Sequence, residues 1–320
     1  MASDHAYRAG VSFVTAIYNK EPYLPAVLDA LKHQQGDFER EYIFIDDGST
    51  DDSLEIVRDL TAGWLDVTIL EQENYGSAFA INRGIDRASH PFIKFCDADD
   101  LLAHGATQCL LDSLVRTEAC LAYGRWTTYE SVDDLNLDQP LLNPDVSLLS
   151  HPLKTTLRNA PFRQSSVLVR TECSRMVGGG DERLVYSQDY SLALRLALRW
   201  PFVRVAATMI YCPPIAPSNI SSNEGRQLQR VSLACANFLR DYPDVSSSLQ
   251  RFACNRAAGR AWKWQRRHRG AGFVSKWFWR YYKSYLTSPR DAPAFIETCA
   301  QAFEDEPAMT PATVSESRAM

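Results

Sequence analysis

Glu41-Tyr-Ile-Phe-Ile-Asp-Asp-Gly-Ser-Thr-Asp51 and Pro91-Phe-Ile-Lys-Phe-Cys-Asp-Ala-Asp-Asp100 share one pattern, a short apolar run closed by a cluster of carboxylates. The runs at 41–45 and 91–96 are β-branched or aromatic and bounded by polar turn residues, which reads as buried strands. Both acidic clusters therefore stand at strand C-termini, the edge of an open α/β sheet where ligands bind. Carboxylates gathered there, with no Lys or Arg inside the clusters, repel one another unless a cation or a hydrogen-bonding ligand lies between them. A divalent metal with a phosphorylated ligand answers that requirement.

The same rhythm extends to either side. A strand at 11–17 leads to a helix at 23–34 with Leu24, Val27, Leu28 and Leu31 on one face. The first acidic loop leads to a helix at 53–60, for which Asp51, Asp52 and Ser53 are good capping residues. A strand at 67–70, a helix at 76–88, the strand at 92–96 and a helix at 105–115 follow. Strands alternating with helices imply an α/β fold with a mainly parallel sheet and right-handed crossovers. Beyond it the reading gives a strand at 119–129, a loop at 133–152, a strand at 165–170, a helix at 187–200 and a strand at 202–211, closed by 212–218. From about 225 the pattern turns helical, at 227–239 and 247–264. The expected organisation is a catalytic domain over 1–224 with halves at about 10–102 and 103–224, a helical C-terminal region over 225–304, and a disordered tail at 305–320.

The 320 residues are enough for a full core, and a formal charge of −5 provides no global basic field, so nucleic acid is excluded as a partner. Eight scattered cysteines with no C-x-x-C pair argue against both a zinc site and a disulfide scaffold. There is no apolar signal core at 1–5 and no apolar run long enough to span a bilayer, so the reading is cytoplasmic, soluble or peripherally attached.

Taken in order, Val11-Ser-Phe-Val-Thr-Ala-Ile-Tyr-Asn19, Ile45-Asp-Asp-Gly-Ser-Thr-Asp51, Asn74-Tyr-Gly-Ser-Ala-Phe-Ala-Ile-Asn-Arg-Gly84, Asp97-Ala-Asp-Asp100 and Ser187-Gln-Asp189 resemble the GT-A fold glycosyltransferases of family 2, over roughly residues 10–220. The resemblance implies a GT-A fold, here with a C-terminal helical extension, and inverting transfer from a nucleoside diphosphate sugar, UDP-linked by expectation, to a glycan or lipid-linked acceptor. It places the nucleotide sugar against Ala16, Tyr18, Asp47, Asn74, Gly76, Asn82, Asp97 and Ala98. It gives Asp99 a divalent cation and makes Asp189 the catalytic base, with 178–182 shaping the acceptor site. Physically, the Tyr18 ring can lie against a base, and Asp47 can accept an imide N–H. Alternation along an extended stretch puts Asp97 and Asp99 on one side. Hard carboxylate oxygens without His or Cys suit Mg²⁺ or Mn²⁺.

Structural roles compete with each assignment. Asp47 and Asp51 suit a turn and a helix cap, Asp100 a cap or a supporting position, and Asp189 the N-terminal end of a helix dipole. The chain also departs from the family pattern. Its arginine in Ala80-Ile-Asn-Arg83 is displaced, and Gln188 stands where a glutamate usually precedes the base. Two other classes remain open: a nucleotidyltransferase, which normally shows a Gly- and Lys/Arg-rich loop absent between 11 and 25, and a catalytically silent GT-A module. The C-terminal stripe Phe273, Lys276, Trp277, Phe278, Trp279, Arg280, Tyr281, Tyr282, Lys283 and Tyr285 suits either an anionic membrane surface or packing on the catalytic domain.

Overall fold

The structure is a computed structural model and describes residues 9–141, 143–184, 187–214, 223–287 and 289–303. The tail expected at 305–320, and part of the closing segment 212–218, lie outside the described residues. Contacts divide the chain into two units, one of residues 1–152, 162–180 and 196–214, the other of residues 153–161, 181–195 and 215–320.

The first unit is built on one sheet. Strands β1 (Gly10–Ile17), β2 (Glu39–Asp46), β3 (Val67–Glu71) and β4 (Phe92–Asp97) alternate with helices α1 (Leu24–Lys32), α2 (Ser53–Leu60) and α3 (Ser77–Arg87), as the periodicity predicts. These four strands are all parallel, in the order β3-β2-β1-β4. Their centres are apolar throughout: Val11, Phe13, Val14, Ile43, Phe44, Ile45, Ile93 and Phe95 are at most 1% exposed, as strands covered on both faces must be. The order continues through β8 (Val167–Arg170), β6 (Leu121–Thr128), β9 (Phe202–Cys212) and the two-residue β5 (Leu101–Leu102). β8 runs antiparallel to both neighbours, whereas β6 and β9 pair parallel, so six of the nine strands among the described residues share one direction.

Two expectations about this unit are corrected. The stretch 133–152 is not all loop, because β7 (Val146–Leu149) pairs antiparallel with Phe202 to Val205 of β9. It is an exposed edge strand, with no buried alternation to betray it. Asp100 caps no helix. It precedes β5, and α4 (Ala106–Val115) starts only after Gly105.

The second unit is helical. It contains α5 (Leu153–Arg158), most of α7 (Gln188–Arg199), α8 (Glu224–Asp241), α9 (Ser247–Arg269), α10 (Lys276–Leu286) and α11 (Ala292–Ala300). Asn223, Ser275 and Asp291 cap α8, α10 and α11 by accepting from the N–H groups of Arg226, Phe278 and Ala294. No helix among the described residues is long and apolar enough to cross a membrane.

Candidate active site

Strands β2 and β4 flank β1, and the register pairs Ile17 with Asp46 and Ala16 with Asp97. The two acidic loops, fifty residues apart in sequence, therefore stand on either side of Ala16 to Tyr18 at one sheet edge, strand ends roughly 10 Å apart by strand spacing. Topology alone brings together Ala16, Tyr18, Asp47, Asp97, Ala98 and Asp99.

The loop after β1 is clamped to the first acidic loop. Asn19 sits in the left-handed region (φ 51°), which asparagine tolerates. Its N–H donates to Ser49 Oγ at 3.1 Å, and its Oδ1 accepts from the Thr50 N–H at 2.8 Å. The Lys20 N–H donates to Ser53 Oγ at 2.7 Å. Asp51 accepts from the N–H groups of Glu21 and Ser53, which is the structural role weighed for it. Burial would raise the Asp51 pKa, but Ser53 and these N–H donors outweigh it and hold the carboxyl below its usual value.

Asp47 is buried and makes three hydrogen bonds. It accepts from Gln72 Nε2 at 2.8 Å, the Tyr75 N–H at 2.9 Å and the Gly76 N–H at 3.0 Å. A carboxylate has about four lone-pair sites, so one remains for a ligand donor. Burial raises its pKa against the opposing pull of those three donors. Gly48 (φ 74°) lets the chain pass this point, since a Cβ there would lie 3.0 Å from the Asn74 nitrogen. Asn74 and Gly76 thus belong to a segment that the Asp47 loop holds directly. Beside Asp47, Asp46 Oδ1 is buried and meets no donor among the described residues, an unsatisfied acceptor of the kind found at functional edges.

Asp97 ends β4, and its N–H donates to Ser165 Oγ at 2.8 Å. Ala98 is buried. Half-buried Asp99 makes an ion pair with the Lys20 ammonium, so this carboxylate already faces a cation. Asp100 is buried beside Ser165 and Cys212, and desolvation, with the Asp99 charge next, raises its pKa. Under the loop, fully buried Lys94 donates from Nζ to the carbonyls of Phe95 and Ser165. Its ammonium is held below the usual pKa by desolvation. Among the described residues no three His, Cys, Asp or Glu gather as a metal cluster. The hard carboxylate oxygens of Asp99, the position expected to meet a cation, are of the kind that suits Mg²⁺ or Mn²⁺.

Asn82 is on α3. Its Nδ2 donates to the Gly180 carbonyl at 3.1 Å, and its Oδ1 accepts from the Gly180 N–H at 2.8 Å, tying α3 to the glycine segment. Gly179 (φ 66°) is required there, because a Cβ would meet Asn82 Oδ1 at 2.1 Å. Arg83 donates to Gln72 Oε1 at 2.8 Å and so steadies the partner of Asp47. Lys20, Gln72 and Ser165 were not legible as site residues, since each acts through contacts 25 to 79 positions away.

Asp189 lies in the second unit, in the first turn of α7, and its Oδ1 accepts from the Tyr190 N–H at 2.7 Å. Ser187, just before the helix, is in the left-handed region at φ 73°, uncommon for serine. In the same unit buried Asp181 accepts from Arg183 Nε (2.7 Å), Arg183 Nη2 (2.9 Å) and Asn237 Nδ2 (3.0 Å). Burial would raise its pKa, but Arg183 and Asn237 outweigh burial and lower it.

The family model described as Glycosyl transferase family 2 matches residues 12–176. An uncharacterized glycosyltransferase of Haemophilus influenzae is 28% identical over 169 residues, 52% of this chain and 64% of that protein. The chain spans 18% to 64% of the length of the curated relatives it matches first. Staphylococcus aureus TarS 1-349 in complex with UDP-GlcNAc superposes with a TM-score of 0.62 at 17% identity, over 92% of this chain and 88% of that one. Mannosyltransferase PcManGT from Pyrobaculum calidifontis, in complex with GDP-Man and Mn²⁺, superposes with a TM-score of 0.56 at 17% identity, over 93% and 86%. These likenesses show the GT-A fold, and with the family match over more than half the chain they establish that it belongs to glycosyl transferase family 2.

Proposed function

We propose that the protein is an inverting glycosyltransferase that moves a sugar from a nucleoside diphosphate donor, UDP-linked, to a hydroxyl of a glycan or lipid-linked acceptor. The observation that carries this reading is the register that sets the Asp46-Asp47 and Asp97-Ala-Asp99 loops on either side of the β1 terminus. In this reading Tyr18 stacks on the base, and the remaining acceptor site of Asp47 takes an imide N–H. Asn74, Gly76 and Asn82 shape the walls, and Ala16, Asp97 and Ala98 border the ribose and phosphates. Asp99 would hold a divalent cation, Mg²⁺ or Mn²⁺, which when bound neutralises charge on the diphosphate leaving group. Lys20, released from Asp99, remains beside the phosphates as a second positive charge. Asp189 takes the proton of the acceptor hydroxyl as its oxygen attacks the anomeric carbon.

Use of nucleotide sugars suits work at the cytoplasmic face of a membrane in polysaccharide or lipopolysaccharide assembly, and the exposed rings and cations of α10 suit peripheral contact with anionic lipid. The family match and the sugar nucleotides bound by TarS and PcManGT support this reading. A donor screen that measures release of free nucleoside diphosphate, with and without Mn²⁺, tests it. One UDP-sugar should be turned over, EDTA should stop it, and Asp99→Ala should lose turnover while keeping the wild-type melting temperature. Nucleotide binding without turnover of any donor would favour the silent module. Full activity under EDTA would remove the metal role.

A further inference from the structure

Within the helical unit, the guanidiniums of Arg256 and Arg260 converge on one pair of oxygens, the Arg158 side chain acts on Arg256 as a further positive charge, and no salt bridge to any of the three is present among the described residues. Nη2 of Arg256 donates to the Arg158 carbonyl at 2.9 Å and to Asn159 Oδ1 at 3.2 Å. Nη2 of Arg260 donates to the same two oxygens at 2.7 and 3.3 Å. The Arg158 guanidinium and the Lys154 ammonium lie 5.9 and 5.6 Å from the centroid of one ring, Phe252. Capping the carbonyl end of α5 needs one guanidinium, yet two converge on it and a third cation stands on the capped residue itself.

Each guanidinium has five donors, and these contacts use only Nη2 of Arg256 and Arg260. Arg256 Nε is buried and meets no acceptor among the described residues. The ionisable groups that act most strongly on Arg256 are the cations Arg260 and Arg158 and the phenols of Tyr190 and Tyr281. Burial, and then repulsion from Arg260 and Arg158, depresses its pKa. Like charges held together by the fold, with donors left over, favour a multivalent anion with several acceptor oxygens. A phosphate group matches that geometry, and a single carboxylate would leave most donors unused.

We propose that Arg158, Arg256 and Arg260 form a binding site for a phosphate group. Buried Tyr190, on which Arg260 and Arg256 both act, is the residue after Asp189 on α7, and part of the proposal is that the bound phosphate belongs to the acceptor. That assignment to the acceptor rests on Asp189 as the base, whereas the site itself does not. Arg158 offers a test separable from folding, because its carbonyl, and not its side chain, receives the two caps.

The test is calorimetric titration of the full chain with glycerol 3-phosphate while the donor site is saturated with UDP and Mn²⁺. Wild type should bind the probe. Arg158→Gln should weaken binding roughly tenfold, and Arg256→Gln with Arg260→Gln roughly a hundredfold, at one charged hydrogen bond per residue. UDP affinity, measured separately, should not change in Arg158→Gln, which keeps this result distinct from failure of the donor site. Flotation with phosphatidylglycerol vesicles gives the source: loss of flotation in Arg158→Gln marks the phosphate as lipid-borne, and unchanged flotation marks it as soluble or glycan-borne. Absence of probe binding in UDP-saturated wild type, or undiminished binding in a folded Arg158→Gln, would overturn the proposal.

Discussion

Asp47 shows how one side chain serves both the fold and the proposed ligand. Its three protein donors fix the segment 72–76 against β2, and its buried carboxylate keeps one acceptor site. A hydrogen bond to a charged group contributes about 1.5–3 kcal/mol. Asp47→Ala should therefore weaken UDP binding tenfold or more by calorimetry. It should also lower the melting temperature, because the N–H groups of Tyr75 and Gly76 lose their acceptor. Unchanged UDP affinity in a folded variant would remove Asp47 from the nucleotide site. Asp189 gives a cleaner separation. Asp189→Asn is nearly isosteric but cannot accept a proton at neutral pH, so donor binding should persist while transfer falls by about 10² to 10⁴. A variant with wild-type kcat would send the search for the base elsewhere.

At the scale of elements, the parallel half was readable almost residue by residue. Strands β1, β2 and β4 are short apolar runs buried on both faces, and α1 to α3 each present one apolar stripe, so local pattern and tertiary burial agree. What escaped was short or exposed. β5 has two residues, α5 and α6 (Thr171–Met176) have six each, and β7 exists only because β9 offers it a ladder. The site followed the same rule. Asp47, Asp97 and Asp99 could be picked out as candidates because chain order placed them at strand ends, while Lys20 needed the fold to bring it to Asp99. The entry to α7 is held in a similar non-local way by Asp181, Arg183, Asn237 and Asp241. Because the folded pKa of Asp181 is depressed, its stabilisation is present above its unfolded value near 3.8 and disappears as pH falls through the folded value. Asp181→Asn should thus cost about 1–3 kcal/mol at pH 7, a range reduced for the half-exposed Arg183. The difference from wild type in chemical denaturation should shrink below pH 3.8. A pH-independent difference would show that packing, not charge, sets the cost.

Across the whole molecule the charge is strongly divided. Residues 245–290 hold eleven Lys and Arg and no Asp or Glu, within a chain of formal charge −5. The structure also sorts the aromatic stripe. Trp277 is buried, so it belongs to the interior, whereas Phe273, Val274, Trp279, Tyr282 and Tyr285 are exposed by 47% to 92%. Phe273, Phe278, Trp279 and Tyr282 touch ring to ring, with centroids 5.1 to 6.3 Å apart, and so form one patch, with Lys276 and Lys283 on the same helix α10. Rings at headgroup depth and cations facing anionic lipid should act together, each Lys or Arg near the surface adding about 1 kcal/mol and weakening with salt. Replacing Lys276, Trp279, Tyr282 and Lys283 with Gln or Ala, and leaving Trp277 in place, should therefore release the protein from anionic vesicles with little change in melting temperature. Trp277→Ala should do the reverse, lowering the melting temperature through a lost buried ring while the folded fraction still floats. If the wild type does not float with anionic vesicles at low salt, the patch faces another partner and the peripheral membrane role falls.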